Sequence, residues 1–256
     1  MQKVIISGFN GAMGSQVVEL VNRMTDVELV AVFNPHVTSL NPTEYGLHQN
    51  VQVFNELEQM DTAADIWIDF SIPSAVFTNA QFALNHDIKP VIGTSGLSTA
   101  QITKLKQLAA EKNIGGIIAP NFGLSAILLL KFAKEAARYF PDVEIIELHH
   151  ADKLDAPSGT ALATAKAIRE VTSPSEAQET NPASPARGLD YEGIKIHSVR
   201  LPGYVAHEEV LFGAPGEALT IRQDSFNRSS FMRGVELALQ HVATNNDFVV
   251  GLENIL

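Results

Sequence analysis

Residues 147–161, ELHHADKLDAPSGTA, bring together side chains that handle protons or bind anions. His149, His150 and Lys153 precede a Pro-Ser-Gly-Thr run, which is typical of the first turn of a helix. The unpaired N–H groups of a helix start, its hydroxyls and a glycine that permits close approach suit a carboxylate or a phosphate. The stretch therefore predicts an anion site with proton donors beside it.

Each of these residues also has an ordinary structural role. His149 and His150 are adjacent on a predicted strand and point to opposite faces, so the pair is a poor chelate and we expect no metal site. A single histidine is as often a hydrogen-bonded core residue, Lys153 alone a solvated lysine, and Ser158 alone a helix cap. A nucleophilic serine is disfavoured because no elbow motif surrounds Ser158. Only the cluster as a whole favours an anion site.

The turn GFNGAMG places Gly8, Gly11 and Gly14 between the first predicted strand and the first predicted helix. Glycines let a backbone approach a pyrophosphate, and the helix start adds N–H groups and a partial positive charge. The spacing G-x-x-G-x-x-G differs from the usual G-x-G-x-x-G, and a tight turn without ligand is the alternative. The position between strand and helix favours dinucleotide binding.

The residues at the end of the second predicted strand do not decide between NADH and NADPH. An acidic residue about 20 positions after the last glycine commonly binds the ribose of NAD, and Asn34 stands there. Residues 24–88 contain no Arg or Lys that could bind a 2′-phosphate of NADP.

Short apolar runs alternate with helix-period segments over the first 120 residues, which predicts a doubly wound parallel sheet. Ser98 and Gln101 form a capping-box signature. After Pro141 the chain changes to a mostly antiparallel α+β pattern, and the Ser/Pro/Ala-rich residues 173–187 predict a mobile loop. The predicted strands are 3–7, 27–33, 65–71, 90–94, 114–120, 142–150, 194–199, 204–212 and 218–226. The first predicted helix has one apolar face marked by Val17, Val18, Leu20, Val21 and Met24, and the later ones begin near Pro73, Thr99, Leu124, Pro157 and Arg228.

Composition excludes several classes of protein. The formal charge of −11 argues against nucleic acid as a partner, because neutralising phosphates needs clustered cations. The chain has no cysteine, so it has no disulfide or thiolate metal site. No apolar run reaches the ~18 residues that span a bilayer, so we expect no membrane partner. The first residues read as a strand and not as a leader, so we expect a cytoplasmic protein.

The sequence resembles the 4-hydroxy-tetrahydrodipicolinate reductase family, also called dihydrodipicolinate reductase. ELHHADKLDAPSGTA matches the signature stretch of that family almost letter for letter. The resemblance continues, in order and over nearly the whole chain, in GFNGAMG, IDFS, GTSG, APNFG and HSVRLPGYVAHEEVLF.

This resemblance implies NADH- or NADPH-dependent reduction of a cyclic dicarboxylate to tetrahydrodipicolinate, in lysine and diaminopimelate biosynthesis. It also implies a Rossmann-like nucleotide-binding domain (1–121 plus 228–256), a substrate-binding and oligomerisation domain (122–227) and a cytoplasmic homotetramer. The implied catalytic pair is His149 and Lys153, and the implied substrate contacts are His150, Ser158, Gly159 and Thr160. The implied cofactor contacts are Gly8, Phe9, Asn10, Gly11, Ala12, Met13, Asn34, Gly93, Thr94, Ser95, Ala119, Pro120, Asn121 and Phe122.

Three residues, in two places, depart from the family pattern. Ala12 and Ser15 replace the arginines that relatives commonly carry in the glycine turn, and Asn34 replaces the acidic ribose partner. Another nicotinamide enzyme, such as an amino-acid dehydrogenase, would explain the N-terminal half equally well. A nucleotide-sensing protein without activity is a second alternative. Neither accounts for the residues from His149 to Thr160.

Overall fold

The computed structural model describes residues 1–173 and 184–256. The chain forms two units, the first made of Met1–Phe122 with Phe231–Leu256 and the second of Gly123–Ser230. The predicted fold class is confirmed, because the first unit is built on a parallel sheet and the second on a mostly antiparallel one. What each unit binds stays a prediction.

The first unit is built around a seven-stranded sheet in the order β12-β6-β5-β4-β1-β2-β3. Every neighbouring pair in it is parallel. The central strands are apolar on both faces, as helix-covered parallel strands require, and all four residues of β4 are buried. The strands are β1 (Gln2–Ser7), β2 (Val27–Phe33), β3 (Gln52–Phe54), β4 (Ile66–Asp69), β5 (Lys89–Ile92), β6 (Gly116–Ile118) and β12 (Phe248–Val250).

Four helices belong to this unit: α1 (Gly14–Arg23), α2 (Val76–Asn85), α3 (Thr99–Lys112) and α6 (Met232–Thr244). The predicted capping box at the start of α3 is confirmed, because Ser98 accepts from the Gln101 backbone and Gln101 accepts from the Ser98 backbone. The helices pack apolar residues against the sheet, and the largest fully buried side chain is Trp67 on β4.

The second unit has a five-stranded sheet in the order β11-β10-β7-β9-β8. Only the pair β7–β9 is parallel among its ladders. Helices α4 (Leu124–Ala136) and α5 (Gly159–Arg169) supply the apolar layer that packs with Ile145, Val210 and Phe212. The strands are β7 (Asp142–His149), β8 (Leu189–Tyr191), β9 (Ile194–Arg200), β10 (Ala206–Ala214) and β11 (Glu217–Ser225).

The structure differs from the predicted elements at a few places. The three-residue strands β3, β8 and β12 were not predicted, since such short segments carry too few residues to show a period. Helix α6 begins at Met232 and not near Arg228, because Arg228–Phe231 form a 3₁₀ turn. Of the predicted mobile loop 173–187, residues 174–183 lie outside the described residues, and Pro185–Arg187 form a 3₁₀ turn. Among the described residues, no helix combines the length and apolarity that crossing a bilayer needs.

Candidate active site

The glycine turn between β1 and α1 is as tight as its sequence predicts. Gly8 has a φ of 74°, and a Cβ there would overlap the Phe70 carbonyl. A Cβ on Gly14 would overlap the carbonyl of Gly8. No side chain caps the amino end of α1 within the described part of the chain. The backbone is therefore open to an anionic ligand where a helix start favours negative charge.

A cavity of about 210 Å³ adjoins this turn. It lies at the carboxyl ends of β1, β2 and β4, where the strand order reverses and doubly wound sheets bind nucleotides. The glycines, the cavity and the uncapped helix together fit a dinucleotide. The lining residues are Ser7, Gly8, Asn10, Gly11, Asn34, Pro35, His36, Phe70, Ser71, Ile72, Ala75 and Asn79.

Asn34 lies at the predicted position beside the glycine turn. Its Nδ2 donates to Asn10 Oδ1 at 2.5 Å, and its Oδ1 accepts from the backbone N–H of His36 at 3.0 Å. The cavity wall here is formed by neutral amides and a histidine ring. No Lys or Arg is among its lining residues.

Asp69, at the end of β4, is a fully buried carboxylate that organises the loops of this edge. Its side chain accepts from Thr94 Oγ1 at 2.6 Å, Asn79 Nδ2 at 2.8 Å and Ser71 Oγ at 2.6 Å. Trp67 Nε1 donates to it at 3.2 Å. The loops after β4 and β5 are thus held by one side chain. In the sequence, IDFS is recognisable only as a family motif, and no role is predicted for its Asp69.

The other predicted cofactor residues lie at the same sheet edge, with different exposure. Gly93 and Thr94 follow β5, and both backbone N–H groups donate to the carbonyl of Asp69. Phe122 packs against Phe70 with tilted rings, whose centroids are 5.7 Å apart. Phe9 turns away from the cavity, because it is 3% exposed and packs edge-on against Tyr45. The remaining predicted residues Ala12, Met13, Ser95, Ala119, Pro120 and Asn121 do not line the cavity.

In the second unit, Glu147 is the centre of the predicted anion site. It lies on β7 two residues before His149, on the face that packs against the helices. Arg200 donates to both of its oxygens, at 2.8 and 2.7 Å. His149 Nδ1 lies 2.5 Å from Oε2, and the backbone N–H of Ser158 donates to Oε1 at 3.2 Å. Glu147 therefore joins the histidine, the arginine and the start of α5.

Burial, hydrogen bonds and neighbouring charges determine which side chains of this network carry a proton. Burial opposes ionisation of Glu147, but hydrogen bonds from Arg200, Ser198 and His149 outweigh it and lower the pKa of this carboxyl. Burial lowers the pKa of His149, and Lys153 and Arg200 lower it further, against the opposing effect of Glu147. Since an ionised carboxylate can only accept, the neutral His149 ring carries its hydrogen on Nδ1 and leaves Nε2 as an acceptor.

Lys153 is held by Asp155 in the turn that follows β7. Its Nζ donates to both carboxylate oxygens, at 2.7 and 2.8 Å. The hydrogen bond from Lys153 lowers the pKa of Asp155. The Asp155 carbonyl also accepts from Arg200 at 2.7 Å, which connects this turn to Glu147. The Lys153 side chain is only 20% exposed, so the ammonium is partly withdrawn from solvent.

Helix α5 begins as the sequence predicts. Ser158 is buried, and its hydroxyl accepts from the backbone N–H of Ala161 at 3.2 Å. The N–H groups of Gly159 and Thr160 have no hydrogen-bond partner in the described part of the chain. A Cβ on Gly159 would meet open space. The helix start can therefore receive a carboxylate.

The structure does not place the two histidines together. His149 is largely buried against Glu147, whereas His150 is exposed and follows the end of β7. The contacts of Glu147, Arg200 and Asp155 with these residues are not predicted from the sequence. Glu147 had a usable signal, because residues i and i+2 of a strand share a face. In residues 1–173 and 184–256, no group of three or more His, Asp or Glu side chains is arranged to hold a metal ion.

Comparisons with known proteins agree over the full length. The family described as Dihydrodipicolinate reductase, N-terminus, matches residues 2–122, and Dihydrodipicolinate reductase, C-terminus, matches residues 125–256. The 4-hydroxy-tetrahydrodipicolinate reductase of Limosilactobacillus fermentum is 60% identical over 262 residues, with 100% of both chains covered. That of Lactobacillus acidophilus is 59% identical, covering 100% of this chain and 98% of the relative.

A solved structure supports the same relationship. The dipicolinate-bound dihydrodipicolinate reductase from Paenisporosarcina sp. TG-14 superposes with a TM-score of 0.91 at 43% identity, and 100% of each chain is covered. The superposition extends over the residues of this chain that both family models match. This chain therefore belongs to the dihydrodipicolinate reductase family.

Proposed function

We propose that the chain catalyses the NADH- or NADPH-dependent reduction of 4-hydroxy-tetrahydrodipicolinate to tetrahydrodipicolinate, a step of lysine and diaminopimelate biosynthesis. The observation that carries this proposal is the Glu147–His149–Arg200 network beside the open amino end of α5. It holds the cation Arg200 and the neutral ring of His149 beside the free N–H groups of Gly159 and Thr160, which suit a carboxylate. Full-length relatives at 60% and 59% identity carry the same reductase name.

The first unit would bind the nicotinamide cofactor in the cavity beside the glycine turn. Gly8, Asn10, Gly11 and Asn34 line this cavity, and Gly93 and Thr94 are held next to it through Asp69. Bound there, the reduced cofactor supplies the hydride. The neutral wall at Asn34 lacks both an acid for a ribose hydroxyl and a cation for a 2′-phosphate. Both cofactors are therefore candidates for the assay below.

The second unit would bind the diacid at the start of α5. The N–H groups of Gly159 and Thr160 and the positive end of the helix favour one carboxylate. The exposed ring of His150 follows β7 and would contribute a further polar contact. Ser158 keeps this turn in place, because its hydroxyl caps the helix and its N–H binds Glu147.

Lys153 would donate the proton that balances the hydride. Its ammonium holds protons on Nζ and is partly withdrawn from solvent, as a general acid requires. The lowered pKa of His149 leaves its ring neutral at pH 7, with Nε2 as an acceptor. His149 would therefore accept a hydrogen bond at Nε2 and orient the substrate while Lys153 transfers the proton.

An assay of cofactor oxidation tests this function. Purified protein is mixed with NADH or NADPH, with and without enzymatically generated substrate, and the loss of absorbance at 340 nm is followed. We expect substrate-dependent oxidation of at least one cofactor. An amino-acid dehydrogenase would oxidise neither with this substrate, and a sensing protein would bind cofactor without turnover. Either result would reject the proposal.

The second sheet supports a homotetramer. Helices α4 and α5 cover one face, and no α-helix in the described part of this unit covers the other. Ile146, Leu148 and Leu211 alternate with residues of the core face and therefore point to the uncovered side. We infer that this face packs against further copies of the chain. A cytoplasmic location is proposed because the reaction consumes reduced nicotinamide, and cell fractionation tests it.

A further inference from the structure

Glu208 on β10 is a buried carboxyl that the proposed reaction does not use. It is 1% exposed, and the strand register places it directly opposite Glu147 on β7 and Gln223 on β11. Residues directly opposite each other in an antiparallel ladder share a face and lie side by side. Its Oε1 has no hydrogen-bond partner among the described residues.

Two ionised carboxylates would be unfavourable at this place. Like charges directly opposite in a ladder are destabilising, and burial increases that cost. Glu147 is the ionised member, because Arg200 donates to both of its oxygens. Burial raises the pKa of Glu208 to about 7, against the opposing effect of Thr164, and the charge on Glu147 contributes to the rise. Glu208 is therefore largely protonated below neutral pH.

Thr164 on α5 shows where the proton of Glu208 goes. Its hydroxyl donates to the carbonyl of Thr160 at 3.1 Å. Donation of the same hydrogen to an ionised Glu208 would lower the pKa of that carboxyl, so the two acceptors compete for it. A hydroxyl has one hydrogen and two lone pairs. With its hydrogen given to Thr160, Thr164 can only accept from Glu208. An ionised Glu208 would instead draw that hydrogen away from Thr160.

We propose that Glu208 is a positioning residue for substrate binding: its protonated carboxyl donates to Thr164, which leaves the Thr164 hydrogen to hold the carbonyl of Thr160 in the first turn of α5. This inference rests on the proposed function, since it assumes that the diacid binds at the amino end of α5. Loss of the proton loosens that turn and weakens binding of the diacid, while the ammonium of Lys153 is unaffected.

The groups that face Glu208 differ in whether they titrate. Strand β7 contributes the ionised Glu147 and also His149, which is two residues further along the same face and lies opposite Ala206. Arg200 on β9 reaches this face through Glu147. The neighbours on β11 and α5, Gln223 and Thr164, are neutral, and Gln223 is held by the neutral Ser125 of α4. A substitution at Glu208 leaves all of these groups in place, so comparison with the parent chain isolates its ionisation.

The first experiment compares the KM for the diacid at pH 6 and pH 8. In the parent chain we expect the KM to rise by roughly threefold to tenfold more than in Glu208→Gln, the change that loss of one hydrogen bond produces. The Gln amide donates to Thr164 at both pH values. Thr164→Val removes the acceptor, so its KM should be high at both pH values and lack the Glu208-dependent rise. Equal KM ratios in the parent chain and Glu208→Gln would overturn the proposal.

Glu209→Gln is the matched control. Glu209 is the next residue of β10, points to the opposite face and pairs with Arg222. We expect this variant to keep the pH-dependent rise of the parent chain. If it abolishes the rise as Glu208→Gln does, the effect comes from charge on β10 in general and the positioning role is wrong.

Thermal unfolding tests the proton on Glu208 without any substrate. Because its pKa in the folded chain is raised from 4.5 to about 7, the folded chain holds a proton that the unfolded chain has already lost in that window. Stability is therefore lost as pH rises through this range. The Tm of Glu208→Gln minus that of the parent chain should increase from about pH 5 to pH 7 and then level off.

The Tm measurement and the KM measurement test different parts of the proposal, so each can contradict its own part. A Tm difference that does not change with pH overturns the protonated Glu208 whether or not the chain is a reductase. The expected pH-dependent Tm difference in a chain that never oxidises NADH or NADPH would reject the proposed function and keep the protonated carboxyl. In that case the binding of dipicolinate at pH 6 and pH 8, measured by calorimetry, tests the positioning role, and equal affinities contradict it.

Discussion

Lys153 and His149 differ in the proton that each one carries at neutral pH. The ammonium of Lys153 is held by Asp155 and has a hydrogen to give. The imidazole of His149 is kept neutral by burial and by the nearby cations, and its single hydrogen points to Glu147. This difference assigns the acid role to Lys153.

We expect Lys153→Ala to lower kcat by about 10²–10⁴-fold, the range of general acid catalysis, with cofactor affinity close to that of the parent chain. Steady-state kinetics and cofactor titration by fluorescence measure the two quantities. Lys166→Ala is the control, because Lys166 is an exposed lysine on α5. Weakened cofactor binding with an unchanged kcat would contradict the assignment.

At the scale of elements, each of the two proposed sites depends on one carboxylate. That side chain lies on a strand and accepts hydrogen bonds from segments that follow or belong to other elements. Asp69 at the end of β4 collects donors from Ser71, Asn79 and Thr94. Glu147 on β7 does the same for β9 and the start of α5. In each case a buried carboxylate accepts hydrogen bonds from segments that are distant in the sequence or follow different strands.

We expect Asp69→Asn to destabilise the chain by roughly 1.5–3 kcal/mol, since it removes hydrogen bonds to a buried charge. The KM for the cofactor should rise as well, because the loops carrying Ser71 and Thr94 lose their common acceptor. Urea denaturation and steady-state kinetics measure these changes. Asp65→Asn serves as the comparison, since Asp65 is exposed just before β4. A cofactor KM equal to that of the parent chain would show that Asp69 does not position the loops.

Sequence periodicity was sufficient for the long elements and for the residues next to them. The alternation in β7 and the cap at Ser158 predict the strand and the helix start that border the proposed anion site. Arg200 and Glu208 could not be assigned in the same way. Their contacts with Glu147 depend on the register of β9 and β10 against β7, which no local pattern specifies.

At the scale of the whole molecule, the uncovered face of the second sheet predicts association of identical chains. Leu211 lies on that face, next in sequence to the buried Phe212 of the opposite face. We expect Leu211→Glu to convert a tetramer into smaller species, because it places an additional charge on the face proposed to be buried between chains. Light scattering after size-exclusion chromatography measures the mass.

Leu219→Glu provides the comparison for this test. Leu219 pairs with Phe212 in the β10–β11 ladder and therefore points to the helix-covered side of the sheet. A charge there should leave the tetramer intact. A monomeric parent chain, or an equal loss of mass in both variants, would contradict an interface on the uncovered face.

The path of the chain between the two units has a consequence for protein synthesis. The first unit needs Phe231–Leu256 for α6 and β12, whereas the second is one uninterrupted segment, Gly123–Ser230. During translation from the amino end, the ribosome releases every residue of the inner unit before it has made the strand that borders β6. The unit encoded in the middle is thus the first with a complete sequence, and the parallel sheet whose synthesis starts first is completed last.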